Sequence, residues 1–206
     1  MRKTLLSLAF GIIIYSCSSS KIGTKYFNEN NIEISKSKFE QIRSTNELLE
    51  IPGDSINHKK LTLREKRGKI KNRALLESLL EKEMNIELDS TKPLVIIYYP
   101  GKDRCNSSGS ATKDSRKIWY GQLEDGIKQI AETKPIYIYK ENDGLKKYDG
   151  ILTWYKDPEG IVERLFFEYH YPCNSFVVIS KDGNYISYFG EFGKNYVLEA
   201  TQLMNK

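Results

Sequence analysis

The sequence predicts an α/β domain built around a central sheet with helices on its faces. Leu94–Tyr99 is a run of six apolar or aromatic residues, which is typical of a strand buried on both faces. Residues 112–132 repeat apolar side chains at helical intervals. Residues 176–179 and 185–189 are two further strand-like runs around a turn. A chain of 206 residues is long enough to bury a core of this kind.

The first 16 residues have the layout of an export signal that precedes a cysteine. Arg2 and Lys3 are followed by the apolar stretch LLSLAFGIII, which is too short to span a bilayer. Residues 14–17, with the sequence IYSC, resemble the signal motif of bacterial lipoproteins, in which the cysteine carries the lipid. This resemblance implies lipidation of Cys17 and stable anchoring, because more than one acyl chain is attached.

Residues 17–37 are rich in Ser, Asn, Lys and Glu and predict a flexible tether between the membrane and the domain. No acidic residue directly follows Cys17, and by the lipoprotein resemblance this implies the periplasmic face of an outer membrane. The expected location is therefore the cell envelope.

The net charge limits the class of partner. Cleavage of residues 1–16 removes two cations and no acid, so the net charge falls from +5 to +3. This charge is too small to predict a nucleic-acid partner, and the expected contacts are the membrane, through the lipid, and a protein of the envelope. After lipidation of Cys17, Cys105 and Cys173 remain as an even pair in an oxidising compartment.

Residues 38–85 predict a helical extension ahead of the main domain. A short helix is expected within residues 39–51, with Ser44 and Glu47 spaced as a capping box. A second helix is expected over residues 63–83, because apolar side chains recur there at helical intervals.

Residues 58–73 form the most basic segment, with eight Lys or Arg and a single Glu. Thr62 and Glu65 are spaced as another capping box, so the segment is expected to lead into the helix at 63–83. Two interpretations stay open. The cations contact anionic lipid headgroups or an acidic partner, or they form a solvated helix face whose aliphatic stems cover apolar surface.

Residues 86–206 predict the main domain. The strand Leu94–Tyr99 leads into a turn that carries Cys105, ahead of the helix at 112–132. Residues 145–171 stay open, because 151–155 fit either a helix or a strand, although Asp157-Pro158 is typical of a helix start. The other expected elements are strands at Ile136–Tyr139, 176–179 and 185–189, a hairpin turn at 181–184 and a helix at 195–204.

This order, with KPLVIIYYPGKDRC at the front and FVVISKDGNYISYFGEF at the back, resembles the thioredoxin-like domains of exported proteins from Bacteroidetes-type bacteria. The resemblance covers residues 86–206. The family's Cys-x-x-Cys motif corresponds to residues 105–108, which read Cys-Asn-Ser-Ser, so a serine replaces the second cysteine. The family's cis-proline ahead of the third strand is also displaced, because Pro172 lies further back and Cys173 stands nearby.

The resemblance implies that the turn with Cys105 faces the loop with Cys173. The two Cα atoms are then expected within about 7 Å, as a disulfide requires. A bond between them closes a loop of nearly seventy residues, which stabilises by about 4 kcal/mol in the chain-entropy model.

Three functions follow from this pair. In the first, the disulfide is structural and the domain has lost its catalytic dithiol. In the second, Cys105 is a nucleophile whose pKa is lowered by a helix N-terminus and by Lys102 and Arg104, and Cys173 is the resolving thiol. In the third, the domain is an envelope adaptor that uses the aromatic-rich residues 137–196.

Other chemistry is not expected. The two histidines, His58 and His170, are too few for a metal site, although His170 lies close to Cys173 in sequence. No glycine-rich phosphate loop is present, so no cofactor is expected. The acidic residues Asp103, Glu124 and Asp125 are expected to lie on the solvated surface.

Overall fold

The structure, a computed structural model, describes residues 23–107 and 109–206. The predicted signal peptide and Cys17 lie outside these residues. Within them the chain forms two mixed β-sheets and six α-helices, and none of these helices combines the length and the apolar character that a membrane crossing requires.

The strands are β1 (Lys25–Phe27), β2 (Glu33–Ile34), β3 (Leu48–Pro52), β4 (His58–Leu63), β5 (Glu65–Lys69), β6 (Leu94–Tyr99), β7 (Ile136–Tyr139), β8 (Trp154–Lys156), β9 (Ser175–Ile179) and β10 (Asn184–Tyr188). The helices are α1 (Lys36–Ser44), α2 (Arg73–Met84), α3 (Arg104–Ser107), α4 (Lys113–Ala131), α5 (Ile161–Phe166) and α6 (Lys194–Met204). Two short 3-10 helices lie at Leu145–Tyr148 and Pro158–Gly160.

The large sheet has the order β5-β10-β9-β6-β7-β8. β6 is parallel to β7 and antiparallel to β9, and β10 is antiparallel to both β9 and β5. All six residues of β6 are buried. Successive side chains of a strand point to opposite faces. One set packs with α4 and α6, and the other with α2 and α5. The expected central strand and its helical layers are therefore confirmed as an α/β arrangement.

The helix predicted at 112–132 is confirmed as α4. Thr112 caps it by accepting a hydrogen bond from the Ser115 amide at 3.1 Å. At the other end, Glu132 has the left-handed conformation that terminates helices. Ile118, which was expected on the inner face, is instead 60% exposed.

The helix predicted at 63–83 is wrong in its first half. Residues 58–69 form β4 and β5, and only residues 73–84 are helical. Asn72 caps α2, with its side chain accepting from the Leu75 amide at 3.0 Å, so the capping box at Thr62 and Glu65 is not formed. The physical reason is that β10 offers β5 a full ladder of backbone partners, which outweighs local helical propensity.

The prediction for residues 39–51 is also corrected. α1 begins after Ser35, whose hydroxyl accepts from the Lys38 amide at 3.2 Å, and Ser44 ends the helix instead of capping one. Asn46 has a left-handed φ of 60°, which reverses the chain into β3. β3 then pairs with β4 in the second sheet, whose order is β2-β1-β4-β3.

The predicted tether is partly structured. β1 and β2 lie within it and form an antiparallel pair, and β1 also runs parallel to β4. The ring of Tyr26 packs on the fully buried Phe39, with ring centroids 5.0 Å apart. Residues 25–34 are therefore part of the second sheet and not a flexible linker.

The region left open at 145–171 contains both kinds of structure. β8 lies within it, parallel to β7. Asp157 then begins a 3-10 turn with Pro158 at its first position, followed directly by α5. The expected hairpin at 181–184 is confirmed, with Gly183 at a φ of 82°. The expected terminal helix is confirmed as α6.

Candidate functional site

The site centres on a disulfide between Cys105 in α3 and Cys173 in the loop before β9. The two residues are 68 positions apart in sequence, and their Cα atoms are 5.2 Å apart. The expected pairing is therefore confirmed. Both cysteines are partly exposed, and Cys173 has a left-handed φ of 65°, which is uncommon for a residue with a side chain.

Asp103 joins the two segments that the disulfide links. One carboxylate oxygen accepts from the Asn106 amide at 2.8 Å, and the Asn106 side chain accepts from the Asp103 amide at 3.1 Å. The other carboxylate oxygen accepts from the Cys173 amide at 2.8 Å. The Asn106 side-chain amide also donates to the Gly101 carbonyl at 2.8 Å. This network holds the turn after β6 against the loop before β9.

The same carboxylate sets the electrostatics around the sulfur atoms. A carboxylate oxygen of Asp103 and the two Sγ atoms lie within 4.8 Å of one another. A negative charge at this distance disfavours a thiolate. Cys105 also lies in a helix of only four residues, and the long helix α4 begins at Lys113. The expected stabilisation of a Cys105 thiolate by a long helix is therefore absent.

Potential metal ligands form one cluster within residues 23–107 and 109–206. Asp103, Cys105 and Cys173 are the one group of three close enough to share an ion. In the disulfide state the two sulfur atoms are bonded to each other, so Asp103 alone offers a charged ligand. His170 Nε2 lies 3.5 Å from the Asp103 carboxylate, but its side chain is about half exposed.

A cleft of about 620 Å³ opens beside the disulfide. Its volume lies within the range of roughly 300–1,000 Å³ that is usual for small-ligand pockets. Four aromatic side chains, two cations, two amide side chains and one carboxylate are among the groups that line it. The aromatic side chains are Trp119, Tyr120, Tyr148 and Phe192, and the polar ones that matter below are Arg116, Lys147 and Asn174.

Two elements bring these side chains together. The first two turns of α4 contribute Arg116, Trp119 and Tyr120. The opposite wall depends on Tyr99, at the end of β6, whose hydroxyl donates to the Asp143 carbonyl at 2.6 Å. This bond fixes the loop that leads into the 3-10 helix at 145–148, which carries Lys147 and Tyr148. Burial raises the pKa of Tyr99 to about 12, so its hydroxyl stays a donor at neutral pH.

The cleft is positively charged. Burial lowers the pKa of Lys147, and the nearby Arg116 guanidinium lowers it further, while Asp103 has a smaller opposite effect. Lys147 Nζ donates to the Asn106 carbonyl and lies 5.3 Å from the centre of the Tyr148 ring. Within the described residues, no carboxylate forms an ion pair with Arg116 or Lys147. Glu191, at the rim, is exposed.

Asn174 provides an unused hydrogen-bond acceptor in the cleft. Its side-chain nitrogen donates weakly to the Tyr120 hydroxyl at 3.5 Å. Its side-chain oxygen is buried and has no donor among the described residues. Burial raises the pKa of Tyr120 well above its usual value, so the hydroxyl is neutral. Buried polar atoms are normally hydrogen-bonded, so the free oxygen of Asn174 fits a ligand that brings a donor.

The sequence identified the cysteines of this site but not the groups around them. Asp103, expected on the surface, has a side chain only 15% exposed and binds the Cys173 amide. Glu124, also expected there, accepts from the Tyr137 hydroxyl at 2.8 Å, while Asp125 is exposed as expected.

The positions of the cleft residues carry only a partial sequence signal. Arg116 and Trp119 are three residues apart in the predicted helix 112–132, which places them on one face. Lys147 and Asn174 have no signal of this kind, because they reach the cleft only through the folding of distant loops. The basic segment 58–73 contributes none of the lining residues.

Comparisons with protein-family models, with curated protein sequences and with solved structures found no match to this chain.

Proposed function

We propose that this chain is a lipid-anchored protein of the bacterial envelope, on the periplasmic face of the outer membrane. Its main domain is thioredoxin-like, does not catalyse redox chemistry, and binds a ligand or partner beside a structural disulfide. The thioredoxin-like part is supported by the strand order β7-β6-β9-β10, with the cysteine turn directly after β6. The lipid anchor is supported by the IYSC motif ending at Cys17.

The observation that carries the non-catalytic function is the position of Asp103. Its carboxylate lies within 4.8 Å of both sulfur atoms and accepts from the Cys173 amide. Reduction of the disulfide would place two thiols beside this negative charge, which disfavours the thiolate form and lowers the fraction of thiolate available for exchange. The same effect favours the oxidised state.

A second candidate is thiol–disulfide exchange, with Cys105 as the attacking thiol and Cys173 as the resolving thiol. One observation favours it: both cysteines are partly exposed and line the cleft, so a substrate disulfide could approach them. The two candidates differ in the reduction potential and in catalysis.

The deciding experiment uses the full chain, purified in detergent. We expect no free thiol without reductant and two after reduction, because the sulfur of Cys17 carries the lipid. We expect a reduction potential below roughly −300 mV, as for structural disulfides, and no turnover with a disulfide substrate. A potential near roughly −200 mV, with turnover that is lost in Cys105→Ser, would establish the oxidoreductase instead.

Asp103→Asn tests the electrostatic argument. The amide removes the charge and keeps one of the two oxygens that accept from the Asn106 and Cys173 amides, so we expect faster reduction and a higher potential than in the wild type. The matched control is Asp143→Asn, which removes an exposed carboxylate from the neighbouring loop and should change neither quantity. Equal behaviour of the two variants contradicts the role given to Asp103.

Lipidation of Cys17 has its own test. Labelled fatty acid should be incorporated into the wild-type chain in a bacterial host and should be absent from Cys17→Ala. Label in both variants, or in neither, contradicts the proposed anchor.

A further inference from the structure

We propose that the cleft beside the disulfide binds the free C-terminal end of a peptide, with Arg116 and Lys147 holding the terminal carboxylate. This inference rests on the proposed binding function and names the ligand of the same site. Three independent properties of the cleft support it: its charge, its unpaired acceptor and its aromatic walls.

The two cations of the cleft favour an anionic ligand. Arg116 and Lys147 lie close enough for each to oppose the other's charge, and burial adds to the cost of charging Lys147. Within the described residues no carboxylate forms an ion pair with either cation, and the Asp103 carboxylate offsets the charge repulsion at Lys147 only in part. A ligand that brings a negative charge between the two cations reduces their mutual repulsion. A carboxylate is suited to this pair because guanidinium and carboxylate groups can form two parallel hydrogen bonds.

The unpaired acceptor narrows the choice of anion. The buried oxygen of Asn174 needs a donor. A simple fatty acid offers a negative charge but no hydrogen-bond donor at neutral pH, whereas inorganic phosphate offers both but brings no apolar surface to the aromatic side chains of the cleft. The terminal residue of a peptide offers a negative charge, a hydrogen-bond donor and a side chain, because its carboxylate and its amide N–H belong to the same residue. Capture of a C-terminal carboxylate is also a known mode of peptide recognition.

The walls favour an apolar side chain on that residue. Trp119 and Phe192 have ring centroids 6.2 Å apart, and Trp119 also packs edge-on against Tyr120. An aromatic or large aliphatic side chain would lose water-exposed surface against these rings. The expected ligand therefore ends in a residue such as Phe with a free carboxylate.

The test uses the full chain with its disulfide intact and two probes. The first is acetyl-Gly-Gly-Ala-Phe with a free carboxylate, and the second is the same peptide with a C-terminal amide. We expect the free acid to bind at least about tenfold more tightly, because the amide brings no charge to the two cations. Trp119 reports binding through its fluorescence. Trp154, the second tryptophan of the chain, does not line the cleft, so Trp119→Phe should lose the signal and Trp154→Phe should keep it.

Protein variants localise the carboxylate. Arg116→Gln and Lys147→Gln should each weaken binding of the free acid about tenfold and leave the weak binding of the amide unchanged. Lys117→Gln and Lys146→Gln remove the same charge from adjacent exposed positions and should change affinity less than about twofold. Equal losses in all four variants would mean non-specific attraction and would overturn the proposal.

Peptide variants test the role of Asn174. N-methylation of the last amide removes the donor and should weaken binding to the wild type, but should have no further effect in Asn174→Leu. If N-methylation has the same effect in both proteins, Asn174 does not contact this amide and the proposal fails. Equal affinity of the free acid and the amide for the wild type also overturns it, even if a variant does not fold.

Failure here is distinguishable from failure of the proposed function. The thiol and potential measurements concern the sulfur atoms and need no peptide. A redox-active chain that binds the peptide would overturn the non-catalytic function alone. A redox-inert chain that does not discriminate between the two peptides would overturn this inference alone.

Discussion

The centre of the large sheet and its two edges are built in different ways. β6, at the centre, has six buried residues of six, and its sequence alone identifies it as a strand. β5, at one edge, has four exposed residues, and its sequence reads as part of a basic helix. β8, at the other edge, has only three residues, none of them fully buried. Strand character is therefore intrinsic at the centre and depends on the neighbouring strand at the edges.

The difference shows which information a local pattern contains. Continuous apolar character reports burial on both faces, and a central strand has that environment whatever its partners are. An edge strand with exposed side chains has no such signature. In β5 the extended conformation is stabilised by backbone hydrogen bonds to β10. Closely packed or buried groups at three positions nonetheless attach the edges of the large sheet to the core. A substitution at each position tests how the edges differ from the centre.

The largest effect is expected at Arg73, which ends the basic segment and begins α2. Its guanidinium donates to Glu77 at 2.7 Å and to the Lys92 carbonyl at 2.6 Å, and both side chains of the ion pair are more than nine-tenths buried. Arg73→Met leaves a buried carboxylate without its partner, which should lower the free energy of unfolding by about 3–5 kcal/mol in chemical denaturation.

Two further variants test whether the loss comes from the unpaired buried charge. Lys71→Met removes an exposed cation two residues earlier and should cost less than about 0.5 kcal/mol. The double variant Arg73→Met with Glu77→Leu should recover most of the loss, because no charge is left buried. A loss at Arg73 no larger than at Lys71 would mean that this edge is only loosely joined to the core.

The second effect is expected at Gly68 in β5. Gly68 lies directly opposite Tyr185 of β10, and a Cβ atom at this position would come within 2.6 Å of the tyrosine ring. Gly68→Val should therefore lower the free energy of unfolding by about 1–3 kcal/mol through overpacking. Adding Tyr185→Ala should reduce that specific penalty, and Lys66→Val on the same strand serves as the control, with no loss expected.

If Gly68→Val is as stable as the wild type, β5 does not pack on β10 as described. The helix predicted at 63–83 would then regain support, since β5 would be free of its partner. The measurement therefore addresses the largest difference between the expectation from sequence and the observed fold.

The sequence predicted the centre of the fold because burial and turn chemistry are local. β6, α4, the hairpin at 181–184 and α6 each carry their own signal. The helix predicted at 63–83 is wrong in its first half because Ile70 lies at helical spacing from the leucines of α2, although its amide donates to the Gly183 carbonyl across the sheet edge. The helical spacing was real only from Arg73 onward.

Only part of the candidate site could be predicted from the sequence. The pairing of Cys105 with Cys173 followed from the resemblance to thioredoxin-like domains. The role of Asp103 did not, because an aspartate in a turn with lysine and arginine neighbours has the composition of an exposed loop. Its burial arises from contact with the Cys173 amide, 70 residues away. Lys147 and Asn174 likewise enter the cleft through long-range packing that no local pattern encodes.

The smallest effect is expected at Asp157, which follows β8 at the opposite edge. Its carboxylate accepts from the amides of Val162 and Glu163 at 3.0 and 2.9 Å and so caps α5. Asp157→Ala should lower the free energy of unfolding by about 1 kcal/mol, as for other lost caps. Asp157→Asn keeps an acceptor without the buried charge and should cost less.

The pH dependence of these variants separates the cap from the charge. Burial raises the pKa of Asp157 above its ordinary value of 3.8, although the two amide donors oppose this. The folded state therefore binds the proton more tightly than the unfolded state. The resulting stabilisation is complete below pH 3.8 and is lost as the pH rises through the raised pKa. Relative to Asp157→Asn, the wild type should lose stability over this interval in unfolding curves measured from pH 3 to 7. The opposite slope would mean that the hydrogen bonds outweigh burial, and that this edge is held by a charged cap and not by a partly neutralised one.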